Sequence, residues 1–351
     1  MNSGVPAMTM RELAQLAGVS QATISLALSN HPRISAATKA RVEGLVKKHK
    51  YVVDGRVSEL MRTIRSHSPD QLTSCLGLVS FYPEEHPWLS LKRRPHLARL
   101  HRSMTLRAGE MGYRVEPFWV RNPQMNLKRL SQILEARGIR GLLSLGAPDL
   151  EEEVPPELRP FLIVTHGTSI ATHLHRILGH WVHDTTLLLT TLKTRGYRRP
   201  GLILQQHQDG RNAHIIAAMY LYFSRYDFDR LDIPILYAGA SVDQEALGQW
   251  YGQYRPDVII YYDHENHYRS IETFLKKRKL TIPHDIGLAV LDATVHIDGI
   301  TGVHQNIEQM GVSAVDMLVS RLQQGETGIP KVAKVESVEG TWIEGDTLRR
   351  K

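Results

Sequence analysis

The chain has a single cysteine, Cys75, among its 351 residues. One cysteine excludes an internal disulfide and any zinc site built from several thiolates, which fits a reducing compartment. Long apolar runs are also missing, because no run approaches the roughly 18 residues of a membrane span and residues 1–10 lack the basic start and apolar stretch of a secretion signal. We therefore expect a soluble, cytoplasmic protein that makes no membrane contact, with Cys75 buried in a strand.

Enzyme signatures are absent as well. The sequence contains no Gly-x-Gly-x-x-Gly, no P-loop, no Gly-x-Ser-x-Gly and no His-Glu-x-x-His. A histidine-rich stretch has the density of a metal site, with His173, His175, His180, His183 and Asp184. It crosses a predicted strand and a helix start instead of following one helical face, so we expect no metal ligands, no cofactor and no catalytic residues.

Positive charge is concentrated at one end of the chain. Residues 1–66 contain 10 Lys and Arg against 4 Asp and Glu, so this segment carries +6 of the formal net charge of +7. A positive excess confined to one small segment is typical of a module that binds nucleic-acid phosphates.

The same segment has the pattern of three short helices. Thr9 and Glu12 form a capping box at the start of the first helix, whose predicted buried face is Leu13, Leu16 and Ala17. Gly18 supplies the positive φ of a sharp turn.

Two further capping residues indicate where the second and third helices begin. Ser20 is predicted to cap the second helix, with Ile24 facing inward, and Ser35 opens the third. This spacing predicts a helix-turn-helix, against the alternative of an αα-hairpin without a DNA function.

Residues 9–65 resemble the DNA-binding head of the LacI/GalR repressor family, through Ala-Gly-Val-Ser at 17–20, Thr-Ile-Ser at 23–25, the third helix and Tyr51. The resemblance implies that the second helix enters the major groove, where Gln21, Ala22 and Ser25 read bases. Ser20 and Thr23 would hold phosphates, act as caps, or do both. The implied DNA-binding residues are Thr9, Ser20, Gln21, Ala22, Thr23, Ser25, Ser29, Tyr51, Val57 and Leu60.

Leu60 aligns with the leucine that family members insert into the minor groove, where it unstacks one base step and kinks the duplex. The alternative is an ordinary apolar residue that packs a linker helix. Gly55 and Val57 lower the helix propensity of this segment, so we expect the hinge to fold only on DNA.

From Cys75 onward, short apolar runs alternate with amphipathic stretches, which is the pattern of βαβ units around parallel sheets. The predicted strands are 75–81, 141–145, 161–165, 200–205, 258–262 and 286–291. The predicted helices are 97–111, 127–137, 184–195, 212–225, 242–254, 266–277 and 307–324.

This region resembles the core of the same family, through Gly179-His180 to Asp184, Arg-Gly-Tyr-Arg-Arg at 195–199, and the segments 256–263 and 282–292. The implied fold is α/β: an all-α helix-turn-helix head, a hinge, and two doubly wound parallel-sheet subdomains of the periplasmic-binding-protein type that form a homodimer. The expected boundaries are 8–52 for the head, 53–73 for the hinge and linker, and 74–346 for the core. Within the core we expect one subdomain at about 74–176 and 303–327, and a second at about 177–302 and 328–346.

The resemblance also implies an effector site in the cleft between the subdomains. Family members often hold a sugar with an arginine after the strand at 200–205 and with polar residues after the next two strands. Here His214 stands at the arginine position, Arg211 under a shifted alignment, and Asp263 and Asp292 follow the other strands. The expected ligand is a sugar or other small polyol, with a purine or a protein partner still open. Nearby aromatic residues can stack on a sugar or belong to the core: Trp181, Tyr261 and Tyr262.

Two functions follow. The first is a ligand-controlled transcriptional repressor that binds a near-palindromic double-stranded DNA operator as a homodimer. The second is an architectural DNA-binding protein whose core only dimerises. A small molecule that shifts both core melting and operator affinity distinguishes them, because linkage requires the two effects together.

Overall fold

A computed structural model describes residues 10–28, 34–49, 74–89, 94–262, 265–293 and 298–350. The chain divides into two compact units, 1–72 and 73–351. Within these described ranges, no helix is both long and apolar enough to cross a membrane. The helices of the first unit are α1 (Met10–Ala17), α2 (Gln21–Leu28) and α3 (Ala36–Lys48).

A small apolar core joins the three helices of the first unit. Leu13, Ala17, Ile24 and Val42 are almost fully buried and lie in one cluster. Leu16 was expected in this cluster, but it is 54% exposed, so that prediction was wrong. Successive residues of a helix are about 100° apart, and α2 and α3 cover the face of Leu13 and Ala17, which leaves Leu16 to one side.

The second unit contains two six-stranded sheets. The first has the strand order β11-β5-β4-β3-β1-β2, and all five of its pairings are parallel. Its strands are β1 (Ser74–Ser80), β2 (Tyr113–Trp119), β3 (Gly141–Ser144), β4 (Leu162–His166), β5 (His175–Gly179) and β11 (Val335–Val338).

The second sheet has the order β12-β10-β9-β8-β6-β7 and is parallel except between β10 and β12. Its strands are β6 (Pro200–Gln205), β7 (Leu236–Ala238), β8 (Val258–Tyr261), β9 (Gly287–Val290), β10 (Thr301–His304) and β12 (Thr341–Ile343).

Helices cover both sheets and define two lobes. The first lobe is the first sheet with α4 (Pro95–Glu110), α5 (Leu127–Ala136) and α11 (Ile307–Gln323). The second lobe is the second sheet with α6 (Trp181–Thr194), α7 (Gln206–Arg211), α8 (Ile215–Tyr226), α9 (Gln244–Tyr254) and α10 (Glu265–Arg278). The chain passes between the lobes three times, after β5, after β10 and after β11. We call these segments the first crossing (179–181), the second crossing (304–307) and the third crossing (338–341).

The sheet pairing differs from the expected division of the core at two points. β11 lies in the first sheet, and β10 lies in the second up to His304. The expectation had assigned 328–346 to the second subdomain and 303 onward to the first. Both lobes share one alternating pattern, so the sequence carries no signal where the chain crosses. The other boundaries stay predictions.

Local differences from the expected elements have physical causes. β2 was not predicted, because it contains Arg114, Glu116 and Pro117, yet it pairs along all seven residues as an edge strand, where proline is tolerated. The helix expected at 212–225 starts only at Ile215, since Ala213 and His214 have φ of +50° and +60°. Cys75 is half-buried, less than expected.

Candidate nucleic-acid interface and ligand cleft

The turn between α1 and α2 is built from short-range contacts. Gly18 has φ of +63°, a conformation that glycine adopts without strain. Its N–H donates to the Gln15 carbonyl at 3.2 Å, and the Val19 N–H donates to the Ala14 carbonyl at 3.1 Å. Because both bonds close over the end of α1, they fix where α2 begins.

Ser20 caps α2, as expected. Its Oγ accepts the Thr23 backbone N–H at 3.1 Å and lies 2.9 Å from Thr23 Oγ1. Buried Ile24 holds α2 against α1, while Gln21, the first residue of α2, is exposed. The side-chain amide of Gln21 is therefore presented to solvent at the amino end of α2, where the sequence predicted a base reader.

Positively charged side chains are exposed along α3 and at its carboxyl end. Ser35 caps this helix by accepting the Thr38 N–H at 3.3 Å, as expected. Arg41, Lys47 and Lys48 are exposed along it, and the last two complement the negative carboxyl end of the helix. The first unit thus has an exposed amide on α2 and exposed cations on α3.

Several predicted DNA-binding residues lie outside the described residues, as does the hinge at 53–73. They are Thr9, Ser29, Tyr51, Val57 and Leu60. Ala22 and Ser25 lie within α2. The roles assigned to all seven stay predictions.

In the second unit, the carboxyl ends of the two sheets meet at Arg211. Its Nη1 donates to the carbonyls of Ala147 and Pro148, at 3.0 and 3.1 Å, just after β3 of the first lobe. The hydroxyl of Thr168, which follows β4, bonds the Arg211 carbonyl. Ligands of open parallel sheets bind beyond the carboxyl ends of the strands, so this meeting place is the candidate cleft.

His214 is held differently from Arg211. Its Nδ1 lies 2.9 Å from Oδ2 of Asp209, which also accepts the Tyr237 hydroxyl at 3.0 Å. Asp209 is buried, whereas the His214 side chain is 73% exposed. The pairing orients an exposed imidazole at the start of α8.

The predicted effector residues are therefore only partly brought together. Arg211 and His214 are close in sequence but bond opposite lobes. Asp292 follows β9 and is half-buried, and Asp263 lies outside the described residues. Tyr261 is fully buried, and Tyr262, 8% exposed, packs with Trp181 at a ring separation of 5.5 Å, so these aromatic residues belong mainly to the core of the second lobe.

Sequence reasoning missed Asp209, Tyr82 and His166 beside the cleft. Burial raises the pKa of Tyr82, opposed by the charges of Arg211 and of Arg94, whose guanidinium lies 4.7 Å from the Tyr82 ring centre. Burial also lowers the pKa of His166 to about 3, so this imidazole is neutral at physiological pH. A polar residue next to a predicted strand end was the available signal for Tyr82 and His166.

The histidine-rich stretch is divided between separate partners. His175 bonds Glu326 through Nε2 at 2.8 Å and accepts the Lys334 N–H through Nδ1 at 2.9 Å. His183 lies 3.0 Å from Asp184 instead. Across the described ranges, no group of three or more His, Cys, Asp or Glu side chains has the arrangement of a metal site.

Two family models match this chain. Residues 9–54 match the lacI family of bacterial regulatory proteins, and residues 189–348 match the periplasmic binding protein-like domain. A search of curated protein sequences found no match.

Solved structures share the fold at low sequence identity. The transcriptional regulator CelR in complex with cellobiose superposes with a TM-score of 0.58 at 17% identity, over 97% of this chain and 99% of that one. The lac repressor dimer bound to operator and the anti-inducer ONPF gives 0.58 at 18%, with the same coverage. A periplasmic binding protein/LacI transcriptional regulator from Alkaliphilus metalliredigens complexed with D-xylulofuranose gives 0.56 at 15%, over 79% and 100%.

Proposed function

Because the chain belongs to the lacI family of bacterial regulatory proteins, we propose that it is a sequence-specific repressor controlled by a small molecule. Members of this family are transcription regulators and not enzymes. The observation that carries the proposal is the exposed Gln21 amide at the start of a capped second helix, in a chain that also has a two-lobed core. It would act in the cytoplasm, where a bacterial chromosome lies.

The amino end of α2 is the proposed reading surface. A glutamine amide can donate to and accept from adenine in the major groove, so Gln21 is the principal reader, with Ala22 and Ser25 beside it. Ser20 and Thr23 hold α2 in place and contact phosphates, together with Thr9, Ser29 and Tyr51.

The hinge is proposed to act in the minor groove. Leu60, next to Val57, would enter a base step at the operator centre and kink it. The support is the sequence resemblance alone. Equal DNA bending by the wild-type protein and the Leu60→Ala variant would contradict the insertion of Leu60 into a base step.

The proposed repressor is a homodimer on a near-palindromic operator, because one small helix-turn-helix gives little contact area and paired heads reach successive major grooves roughly 34 Å apart. The lac repressor structure, a dimer on its operator, has the same fold. Dimerisation would run through the core.

The proposed effector is a sugar or similar polyol in the cleft. Arg211, His214, Asp263 and Asp292 would bind its hydroxyl groups, since all four follow strand ends of the second sheet. Structures of the same fold hold cellobiose and D-xylulofuranose. In this arrangement a ligand would compete with the Ala147 and Pro148 carbonyls for the Arg211 guanidinium.

Capture of genomic fragments by the full-length protein, followed by footprinting, tests the proposal. We expect enrichment of one near-palindromic sequence with two protected half-sites, and affinity that falls steeply with salt as the basic head displaces counterions. Enrichment without a shared sequence would favour the architectural alternative. A single unpaired half-site would contradict the dimer.

A further inference from the structure

The short segment between α7 and α8 brings a histidine back onto a buried aspartate. Asp209 lies within α7 and is only 3% exposed. Ala213 and His214, which follow α7, have φ of +50° and +60°, and histidine is one of the residues that tolerate this left-handed conformation. The His214 N–H donates to the Asp209 carbonyl at 2.9 Å. The backbone and the side chain of His214 therefore both bond Asp209.

One oxygen of Asp209 makes both side-chain hydrogen bonds of this group. Asp209 Oδ2 lies 2.9 Å from His214 Nδ1, and it accepts the hydroxyl of Tyr237, a residue of β7, at 3.0 Å. The other oxygen, Oδ1, is buried and has no hydrogen-bond partner in the part of the chain that the structure describes. The imidazole and the phenol therefore converge on a single carboxylate oxygen.

The chemistry of the three side chains decides where the hydrogens lie. Burial raises the pKa of Tyr237, and the hydrogen bond to Asp209 and its negative charge raise that pKa further, so the phenol keeps its proton at neutral pH and donates. An ionised carboxylate carries no hydrogen and can only accept. The contact of 2.9 Å between His214 Nδ1 and Asp209 Oδ2 then requires a hydrogen on Nδ1.

The second ring nitrogen of His214 then has the opposite character. A neutral imidazole that carries its hydrogen on Nδ1 has an acceptor at Nε2. The His214 side chain is 73% exposed, so the ring is open to a ligand. Arg211, three residues earlier, has a guanidinium that can only donate. The segment 211–214 thus combines a side chain that only donates with a ring nitrogen that accepts.

We propose that Asp209 is a positioning residue that holds His214 in the Nδ1–H tautomer, so that Nε2 accepts a hydrogen bond from the ligand of the cleft. The ligand part of this inference rests on the proposed effector site. The ligand group that meets His214 must then carry a hydrogen, as a hydroxyl does and an ionised carboxylate does not. Because sugar hydroxyls both donate and accept, one hydroxyl can satisfy His214 while another satisfies Arg211.

Nuclear magnetic resonance of the histidine rings tests the tautomer in the full-length protein without any ligand. Ring nitrogens labelled with ¹⁵N distinguish the Nδ1–H, Nε2–H and doubly protonated forms. Spectra are recorded at about pH 8, above the ordinary titration range of imidazole. The signals of His214 are those that disappear in His214→Gln, an exposed replacement. We expect the Nδ1–H form in roughly tenfold excess or more, the ratio that a hydrogen bond to a charged group provides.

Three variants identify the group that sets the tautomer. Asp209→Asn should remove the excess of the Nδ1–H form, because an amide can donate to Nδ1 as well as accept from it. Tyr237→Phe removes the other donor to Oδ2 and should keep the excess. Asp243→Asn is the matched control: Asp243 is an exposed cap of α9 that accepts the Ala246 N–H at 2.7 Å, and asparagine caps a helix equally well.

A predominant Nε2–H or doubly protonated form of His214 in the wild type overturns the proposal, as does an excess of Nδ1–H that survives in Asp209→Asn. The wild-type result stands even if Asp209→Asn does not fold.

The same spectra with cellobiose and with D-xylulose test the acceptor role of Nε2. A sugar that raises core melting should move the Nε2 resonance of His214 and leave the hydrogen on Nδ1. A sugar that raises core melting without moving that resonance contradicts the acceptor role. Core melting that stays constant with both sugars counts against the proposed effector and not against the role of Asp209.

Discussion

The head and the core hold their proposed functional groups in opposite ways. In the head, Ser20 and Thr23 bond each other over three residues, and Gln21 stands exposed beside them. In the core, Arg211 bonds a carbonyl 64 residues away and Asp209, beside His214, bonds a hydroxyl 28 residues away. A surface group held by local contacts can be replaced without disturbing the fold, whereas a group that joins two lobes cannot. Recognition of DNA should therefore change independently of stability, and recognition of the ligand should not.

The largest effect on stability is expected from replacing Ile24, a buried residue on which the fold of the head depends. Ile24→Ala removes a fully buried side chain from a core of few residues and should cost the head about 2–5 kcal/mol, enough to unfold it and abolish operator binding. Calorimetry should show a weakened first unit and an unchanged second. Leu16→Ala, on exposed Leu16, is the control and should be nearly neutral; an equal loss in both variants would contradict the described core of the head.

A smaller loss of stability is expected when the hydrogen bonds of Arg211 to the first lobe are removed. Arg211→Ala leaves two carbonyls without their charged donor and should lower core stability by about 1–3 kcal/mol, since bonds to charged groups contribute this much. Thermal unfolding measures the change, with Arg198→Ala, an exposed arginine of the same lobe, as the control. Unchanged melting of Arg211→Ala would show that the lobes do not depend on this contact.

Replacing Gln21, the proposed base-reading residue, should alter sequence specificity with almost no loss of stability. Gln21→Ala removes an exposed amide, so melting should stay within about 0.5 kcal/mol, while discrimination at one base pair falls by about 1–3 kcal/mol. Selection from randomised sites measures the preference. Gln15→Ala, which changes an exposed glutamine on α1, serves as the matched control. An unchanged sequence preference in the Gln21 variant would show that other residues read the bases.

The smallest effect concerns an exposed ion pair of the core. Arg195 bonds both oxygens of Glu344, at 2.8 and 2.6 Å, and this holds the Glu344 pKa down to about 2. A lowered pKa gives stability that is present above the ordinary glutamate value and is lost as pH falls toward about 2. Because Glu344 is 46% exposed, Glu344→Gln should cost only about 0.2–1 kcal/mol at neutral pH. Chemical unfolding at neutral and strongly acidic pH should show that the difference in free energy of unfolding between wild type and Glu344→Gln shrinks at acidic pH. Glu336→Gln is the control.

The features that the sequence could predict are mainly those that depend on residues close together in the chain. Gly18, Ser20 and Ser35 act on neighbours a few residues away, and all three take their expected roles. The strand at 200–205 was predicted to the residue, because Pro200 begins it and its apolar run is continuous.

Long-range pairing explains what the sequence could not predict. Nothing near Arg211 indicates that its partners are the Ala147 and Pro148 carbonyls, and nothing near Asp209 indicates that its carboxylate orients His214. Edge strands such as β2 and β11 are half-exposed and carry charged residues, so their pattern resembles that of loops.

One measurement tests the central claim, that a ligand in the core controls DNA binding by the head. The core melting temperature and the affinity for the captured operator are measured on the same full-length protein across a panel of sugars that includes cellobiose and D-xylulose. We predict at least one sugar that raises core melting and changes operator affinity together, with both effects weakened in Arg211→Ala. A sugar that stabilises the core while operator affinity stays constant would contradict the account.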